Sequence, residues 1–237
     1  MERKNNRKAN ELREIQITPH FIENALGSVE VRFGKTRVLC TSSVEERVPN
    51  HALERGMGWL TAEYNMLPAS TGARTTRERN KISGRTQEIQ RLIGRSLRSI
   101  IDLKSLNGYT LWIDCDVLQA DGGTRTASIT GAYVAMVLGL EKMKKKMGWS
   151  VLPILEKVAA VSVGIVGGEA LLDLDYEEDV SAQVDMNLVM TDSGRFVEVQ
   201  ATAEGRAFTD EQLSDMKKLG RKGLDEIFTL QKRSLEK

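Results

Sequence analysis

The chain has 237 residues, of which 41% are hydrophobic, enough to fill the core of one large domain or two small ones. A formal net charge of +1 at pH 7 excludes nucleic-acid binding through overall charge, so any such affinity must come from local clusters. Two Cys and two His, far apart in the sequence, exclude a convincing zinc site. Cys40 and Cys115 lie in strand-like apolar runs, which predicts buried free thiols.

The N-terminal segment is basic, with Arg3, Arg7 and Arg13 among its first residues, and we expect it to form a solvated arm. It lacks the apolar core of a signal peptide. No apolar run is long enough to span a membrane. We therefore expect a cytoplasmic protein without a membrane partner.

Alternating apolar residues predict a first β-hairpin, formed by residues 29–33 and 38–43. Residues 44–84 show little periodicity and predict a long irregular connection with one ordered patch at 58–64. Loops of this length inside a compact domain tend to be functional or disordered.

The C-terminal part of the chain predicts two further hairpins and a helix. The hairpins cover residues 159–174, around two glycines, and residues 184–202. A closing amphipathic helix begins after a capping residue, Thr209. Two further helices are predicted between the first and second hairpins, in residues 71–98 and 129–140. This order of hairpins and helices predicts an α+β fold of mostly antiparallel sheets packed with helices, in a single domain over residues 1–237.

A strand-to-helix junction at residues 121–128 precedes a long apolar helix at 129–140. Glycines there let the backbone approach a ligand, and a helix start offers unpaired N–H groups with the positive end of the helix dipole. The hydroxyl of Thr124 and the planar guanidinium of Arg125 suit phosphate oxygens. The pattern fits an anion site, or equally an ordinary capped helix with glycines in its turn.

Residues 71–98 contain eight basic side chains and only two acidic ones. Their C-terminal half predicts an amphipathic helix whose polar face carries Arg91 and further arginines. Such a stripe is commonly a solvated face. Clustered arginines in the loop just upstream, which contains Arg74, Arg77 and Arg79, also favour a polyanionic partner.

Residues 169–185 are acidic, with no Lys or Arg among them. Asp185 and Asn187 share one face of a predicted strand and present oxygens to solvent or to an ion. Asp179 can join them at one magnesium ion only if the chain bends near residue 181, because extended chain would separate the two aspartates by about 20 Å. Oxygen ligands suit magnesium or manganese more than zinc. The alternative is a solvated acidic loop.

Long motifs in this chain resemble those of the bacterial ribonuclease PH family. The motifs lie at residues 11–13 (Glu-Leu-Arg), 58–68 (from Gly-Trp-Leu-Thr to Leu-Pro), 84–98 and 114–126. The resemblance implies a phosphate-dependent exoribonuclease that trims RNA, notably tRNA precursors, from the 3′ end and releases nucleoside diphosphates. It also implies a homohexameric ring and a fold shared with polynucleotide phosphorylase and exosome ring subunits.

Residue by residue, the resemblance implies a phosphate site and a metal or acid–base site. The phosphate-binding positions are Arg85, Gly123, Thr124 and Arg125. The catalytic and metal-binding carboxylates are Asp179 and Asp185, with magnesium, or manganese in its place, as cofactor and inorganic phosphate as co-substrate. The resemblance implies RNA contacts in the loop of Arg74, Arg77 and Arg79, and the arginine stripe of the predicted helix adds Arg91 as a candidate RNA contact.

One position departs from the family pattern, since Ala69 stands where the family usually has an arginine that helps to hold RNA. This departure leaves a catalytically silent RNA-binding ring subunit as an alternative. Nucleotide-dependent phosphotransfer is a second alternative, but the chain has no recognisable glycine-rich ATP motif.

Overall fold

The computed structural model describes residues 3, 6–78 and 81–236. The first sheet has five strands, β1 Ile15–Pro19, β2 Gly27–Phe33, β3 Thr36–Glu45, β4 Trp59–Met66 and β5 Thr110–Gln119. Their order across the sheet is β1-β2-β3-β5-β4, and every neighbouring pair is antiparallel except the parallel pair β4–β5. The predicted first hairpin is confirmed as β2–β3, whose alternating apolar residues Val29, Val31 and Phe33 are fully buried.

The second sheet has four antiparallel strands in the order β7-β6-β8-β9. They are β6 Val158–Val166, β7 Glu169–Leu172, β8 Val184–Thr191 and β9 Phe196–Ala203. Two tight turns join β6 to β7 and β8 to β9, so both predicted C-terminal hairpins are confirmed.

Five α-helices and a short 3-10 helix at Leu103–Leu106 occur in the described residues. The α-helices are α1 Asn50–Leu53, α2 Gly84–Arg98, α3 Thr124–Met147, α4 Tyr176–Ser181 and α5 Asp210–Leu235. The closing helix α5 begins as predicted, with a reciprocal capping box between Thr209 and Gln212. Within the described residues, no helix combines the length and apolarity needed to span a bilayer.

Apart from a small cluster at Val166, Leu171, Leu174 and Ala182, the core is one hydrophobic cluster that includes residues of both sheets. Helix α3 lies at its centre, because it contacts β2, β3 and β5 of the first sheet and β6 of the second. Nearly every residue from Thr124 to Leu140 is buried, as expected for a helix that is apolar all round. The predicted α+β fold of mostly antiparallel sheets packed with helices is confirmed.

The region predicted as a long irregular connection is more ordered than expected. Strand β3 continues to Glu45, and the ordered patch is a full strand, β4, at the edge of the first sheet. Leu60, Ala62 and Tyr64 of β4 are buried, because α2 packs against this strand. The longest irregular segment that remains in this region is the loop from Leu67 to Ser83, of which residues 79 and 80 are not described.

The N-terminal segment is not the solvated arm that its basic sequence predicts. Arg13 makes a bidentate pair with the fully buried Asp173, at 2.7 and 3.0 Å, and Arg3 and Arg7 both contact Glu178. The acidic run after β7 contains no cation of its own, and buried carboxylates need a charged partner. Much of this run is therefore buried and paired, and the alternative of a solvated acidic loop is wrong for Asp173 and Glu178.

Candidate active site

A cleft of about 1130 Å³ opens where α3 begins. Its walls come from the loop after β4, the start of α2, the β5–α3 junction, α4 and β8. Six residues predicted from the sequence to form the phosphate and carboxylate sites line it: Arg85, Gly123, Thr124, Arg125, Asp179 and Asp185.

The β5–α3 junction is a tight turn of two left-handed glycines. Gly122 has φ +76° and Gly123 has φ +63°, a region that favours glycine over residues with a Cβ. A Cβ on Gly122 would lie 2.6 Å from both the carbonyl carbon of Asp175 and the carbonyl oxygen of Leu174. The turn therefore packs directly against the segment that leads into α4.

The backbone carbonyl groups of this turn accept hydrogen bonds from side chains elsewhere in the chain. Arg13 donates to the carbonyl oxygen of Asp121, and the Thr36 hydroxyl donates to that of Gly122 at 2.7 Å. The first N–H groups of α3 have no carbonyl one turn earlier in their own helix. Backbone donors and the positive end of the α3 dipole therefore face the start of the cleft, an arrangement that suits an anion.

Thr124 and Arg125 are both held by neighbours. The Thr124 hydroxyl shares a 2.9 Å hydrogen bond with the hydroxyl of Tyr64, whose pKa is raised by burial. One Nη of Arg125 lies 3.3 Å from a carboxylate oxygen of Glu88 and 3.1 Å from the amide oxygen of Gln200. These contacts fix the Arg125 guanidinium at the cleft wall.

The two predicted carboxylates come together because the chain bends where the sequence requires it to. Asp179 lies on α4, which ends at Ser181, and extended backbone at Ala182 leads into β8 and Asp185. Burial raises the pKa of Asp179, and the negative charge of Asp185 raises it further. Burial also raises the pKa of Asp185, with Glu204 adding to the effect.

Positive and negative groups act on each other across the cleft. The charges of Arg125 and Arg85 partly offset the rise in the pKa of Asp179, and Arg125 does the same for Asp185. Such a site can hold an anion against its arginines and a cation against its carboxylates in the same space.

The carboxylates fit a metal ion that is shared with a substrate. Among the described residues, no cluster of three or more His, Cys, Asp or Glu side chains forms a complete metal site. Magnesium, however, is commonly held by one or two carboxylates together with substrate phosphates and water. Asp179 and Asp185 supply two carboxylates, and Asn187 adds an amide oxygen on the same face of β8.

Two models of one protein family match most of the chain. The ribonuclease PH model described as 3′ exoribonuclease family, domain 1, matches residues 11–139, and the domain 2 model matches residues 157–223. The chain belongs to the 3′ exoribonuclease family. This confirms the resemblance that its motifs show. The boundary between the two models nearly coincides with the boundary between the two sheets of this family member. The first model ends within α3, and the second begins just before β6.

Three solved structures share the fold of this 3′ exoribonuclease family member. Rice (Oryza sativa) Rrp46 is 19% identical, with a TM-score of 0.81 over 99% of this chain and 100% of that chain. The Archaeoglobus fulgidus exosome, with RNA bound to its active site, is 22% identical, with a TM-score of 0.78 over 96% and 92%. An archaeal exosome core is 19% identical, with a TM-score of 0.73 over 94% and 89%.

Three of the four candidate RNA contacts are described, and they lie outside the cleft lining. Arg74 and Arg77 are exposed on the loop after β4, next to Ala73 and Thr75, which do line the cleft. Arg91 is exposed on α2 and is not part of the lining. Arg79 lies outside the described residues.

Several residues in or beside the cleft were not assigned a role from the sequence. Tyr64 was within a family motif but gave no sign of its bond to Thr124. Glu204 comes from the end of β9 and carries no local signal. Tyr176 and Val180 are apolar side chains within an acidic run, a detectable irregularity to which no role was assigned.

Proposed function

We propose that this protein is a phosphate-dependent 3′→5′ exoribonuclease that shortens RNA, including tRNA precursors, one nucleotide at a time and releases nucleoside diphosphates. Family membership and the fold shared with exosome proteins support an exoribonuclease. The observation behind the phosphate dependence is the meeting of a glycine turn, two arginines and two carboxylates in one cleft.

Phosphorolysis places two anions side by side, so the site must neutralise both. An oxygen of inorganic phosphate attacks the last internucleotide phosphorus, a new P–O bond forms, and the bond from phosphorus to the 3′ oxygen of the preceding nucleotide breaks. Arg85, Arg125 and the first N–H groups of α3 hold the attacking phosphate. Because Arg125 and these N–H groups are held in place before the substrate arrives, they stabilise the transition-state charge without reorganising.

Asp179 and Asp185 occupy the other side of the reaction centre. They would hold magnesium or manganese, which when bound supplies positive charge to the scissile phosphate and the leaving oxygen. Desolvation raises the pKa values of both, so one carboxyl group retains a proton more easily than a fully solvated aspartate does. That group can deliver the proton through water to the leaving 3′ oxygen, which leaves the shortened RNA with a 3′ hydroxyl.

The exposed arginines beside the cleft supply RNA affinity in this proposal. Arg74 and Arg77, with Arg79, contact the phosphate backbone upstream of the 3′ end, and Arg91 extends the basic surface along α2. RNA in the active site of the Archaeoglobus fulgidus exosome supports an RNA partner. Likeness to exosome assemblies supports a ring, which we propose to be a homohexamer.

A second candidate is a ring subunit that binds RNA without cleaving it. The observation in its favour is Ala69, an exposed alanine at a position where the family usually has an RNA-holding arginine. The two candidates differ in turnover and not in RNA binding.

The proposal is tested by separating phosphate use from RNA binding. With Arg125→Ala, we expect a large rise in the phosphate KM and little change in RNA affinity, because Arg125 lies at the anion turn. Arg195→Ala, which changes an arginine outside the cleft, is the matched control. Equal losses in phosphate saturation and RNA affinity would contradict the assigned role.

The carboxylates need a separate test. We expect Asp185→Asn to abolish turnover while the oligomer mass measured by light scattering stays unchanged. Retained turnover would remove Asp185 from the site.

A further inference from the structure

Helix α4 presents two apolar side chains to the cleft. Tyr176 is 60% exposed and Val180 is 68% exposed, and both line the cleft beside the carboxylates. An exposed aromatic ring next to an exposed branched side chain forms an apolar surface beside the charged groups of the cleft.

The spacing along α4 puts this surface next to the proposed chemistry. Tyr176, Asp179 and Val180 stand at positions i, i+3 and i+4, which share one helix face with about 5–6 Å between neighbouring Cβ atoms. A nucleotide whose phosphate lies at Asp179 therefore has the Tyr176 ring within about one helical turn, where its base can reach.

Hydrogen bonds to Asp175 and Glu178 hold helix α4 in place. Asp175 and Glu178 form a reciprocal capping box with two 3.0 Å hydrogen bonds. Glu178 also accepts hydrogen bonds from Arg3, at 2.7 and 2.9 Å, and from Arg7, at 3.1 Å. These hydrogen bonds keep Glu178 ionised, because they outweigh its burial and lower its pKa. The apolar face of α4 is thus fixed before any substrate binds.

We propose that Tyr176, flanked by Val180, is a stacking platform for the nucleobase of the 3′-terminal nucleotide. This inference rests on the proposed function, since it takes the RNA 3′ end to lie at Asp179 and Asp185. Every nucleobase has a flat apolar face, so stacking on an aromatic ring tolerates all four bases. A platform of this kind lets one site remove successive nucleotides of any sequence.

The test uses two labelled RNAs that differ only in whether the 3′-terminal nucleotide carries its base. Binding is measured by fluorescence anisotropy without phosphate, so that it requires no turnover. We expect loss of the terminal base to weaken binding to the unchanged protein by roughly 5- to 150-fold, the range for one stacked base. Tyr176→Ala should weaken binding of the intact RNA to a similar degree and bind both RNAs equally.

Two further variants separate stacking from other effects. Tyr176→Phe keeps the ring and should keep the preference for the intact terminus. Phe196→Ala removes another exposed aromatic, 50% exposed and outside the cleft, and should leave both affinities unchanged.

The inference is overturned if Tyr176→Ala still distinguishes the two RNAs as well as the unchanged protein does. It also fails if neither RNA binds, or if the variant changes only the oligomer mass, which would make this face a contact between copies. Failure of the proposed function has a different signature, namely normal base-dependent binding with no phosphate-dependent release of nucleotides.

Discussion

Replacing Gly122 with alanine tests whether the glycine turn and the carboxylate helix are built as one unit. The residue has φ +76°, which costs an alanine about 1–2 kcal/mol. Its new Cβ would also lie 2.6 Å from backbone atoms of Leu174 and Asp175, which cannot rotate away as a side chain can. Forced overpacking of this kind typically costs about 1–3 kcal/mol.

The expected total loss in free energy of unfolding is about 3 kcal/mol, which lowers the Tm of a chain of this length by roughly 6–12 °C. Urea and thermal unfolding followed by circular dichroism measure it. Gly72→Ala is the matched control, because Gly72 also lines the cleft but has open space around its missing Cβ and no left-handed φ.

Activity should fall together with stability in Gly122→Ala. The added methyl group pushes the turn away from the segment before α4 and so separates the anion donors from Asp179. A loss below about 1 kcal/mol, similar to that of Gly72→Ala, would show that the turn and α4 are not packed as described.

Three further predictions concern charge. Asp185→Asn should lower the pKa of Asp179, because a neighbouring negative charge is removed; a carboxyl titration by NMR measures it, and an unchanged pKa would separate the two residues. Since a raised folded-state pKa opposes folding above the unfolded-state pKa of the carboxyl group, the same variant should reduce that cost at neutral pH. Arg13→Met leaves the buried Asp173 without its closest partner and should cost about 3 kcal/mol or more in urea unfolding; a loss below 1 kcal/mol would refute a buried pair. Replacing the three loop arginines together should flatten the dependence of log affinity for single-stranded RNA on log salt by about 2; an unchanged slope would remove the loop from the RNA interface. These arginines are Arg74, Arg77 and Arg79.

The Arg13 measurement has an internal control in a surface ion pair. Lys218 and Asp215 lie 3.3 Å apart on the exposed side of α5. Because water screens this pair, Lys218→Met should change the free energy of unfolding by less than about 1 kcal/mol.

The parts of the fold that are specified locally could be predicted from the sequence. The hairpin of β6 and β7 shows two apolar runs on either side of Gly167 and Gly168, and the start of α5 shows its capping box directly. The parallel pairing of β4 with β5 was not predicted, although β4, α2 and β5 follow one another as strand, helix and strand, an order that suits a parallel pair. The surrounding region shows little periodicity, so β4 was predicted only as an ordered patch.

The candidate site divides in the same way. The anion-binding character of the turn before Thr124 follows from neighbouring residues in the sequence. The structure adds contacts from distant residues, such as the hydrogen bond between the hydroxyls of Tyr64 and Thr124. The burial of Glu178 on the inner face of α4 could not be predicted, because its partner Arg3 lies 175 residues away in a segment whose sequence predicts a solvated basic arm. Pairings between distant charged residues leave no periodic signal in either segment.

The central claim is phosphorolysis, and the products decide it. The protein is incubated with magnesium and an RNA that has an unpaired 3′ tail, with and without inorganic phosphate, and the released nucleotides are identified by mass. We expect nucleoside diphosphates, and only when phosphate is present. Monophosphates released without phosphate would mean hydrolysis and contradict the mechanism, and RNA binding with no product would show a silent ring subunit.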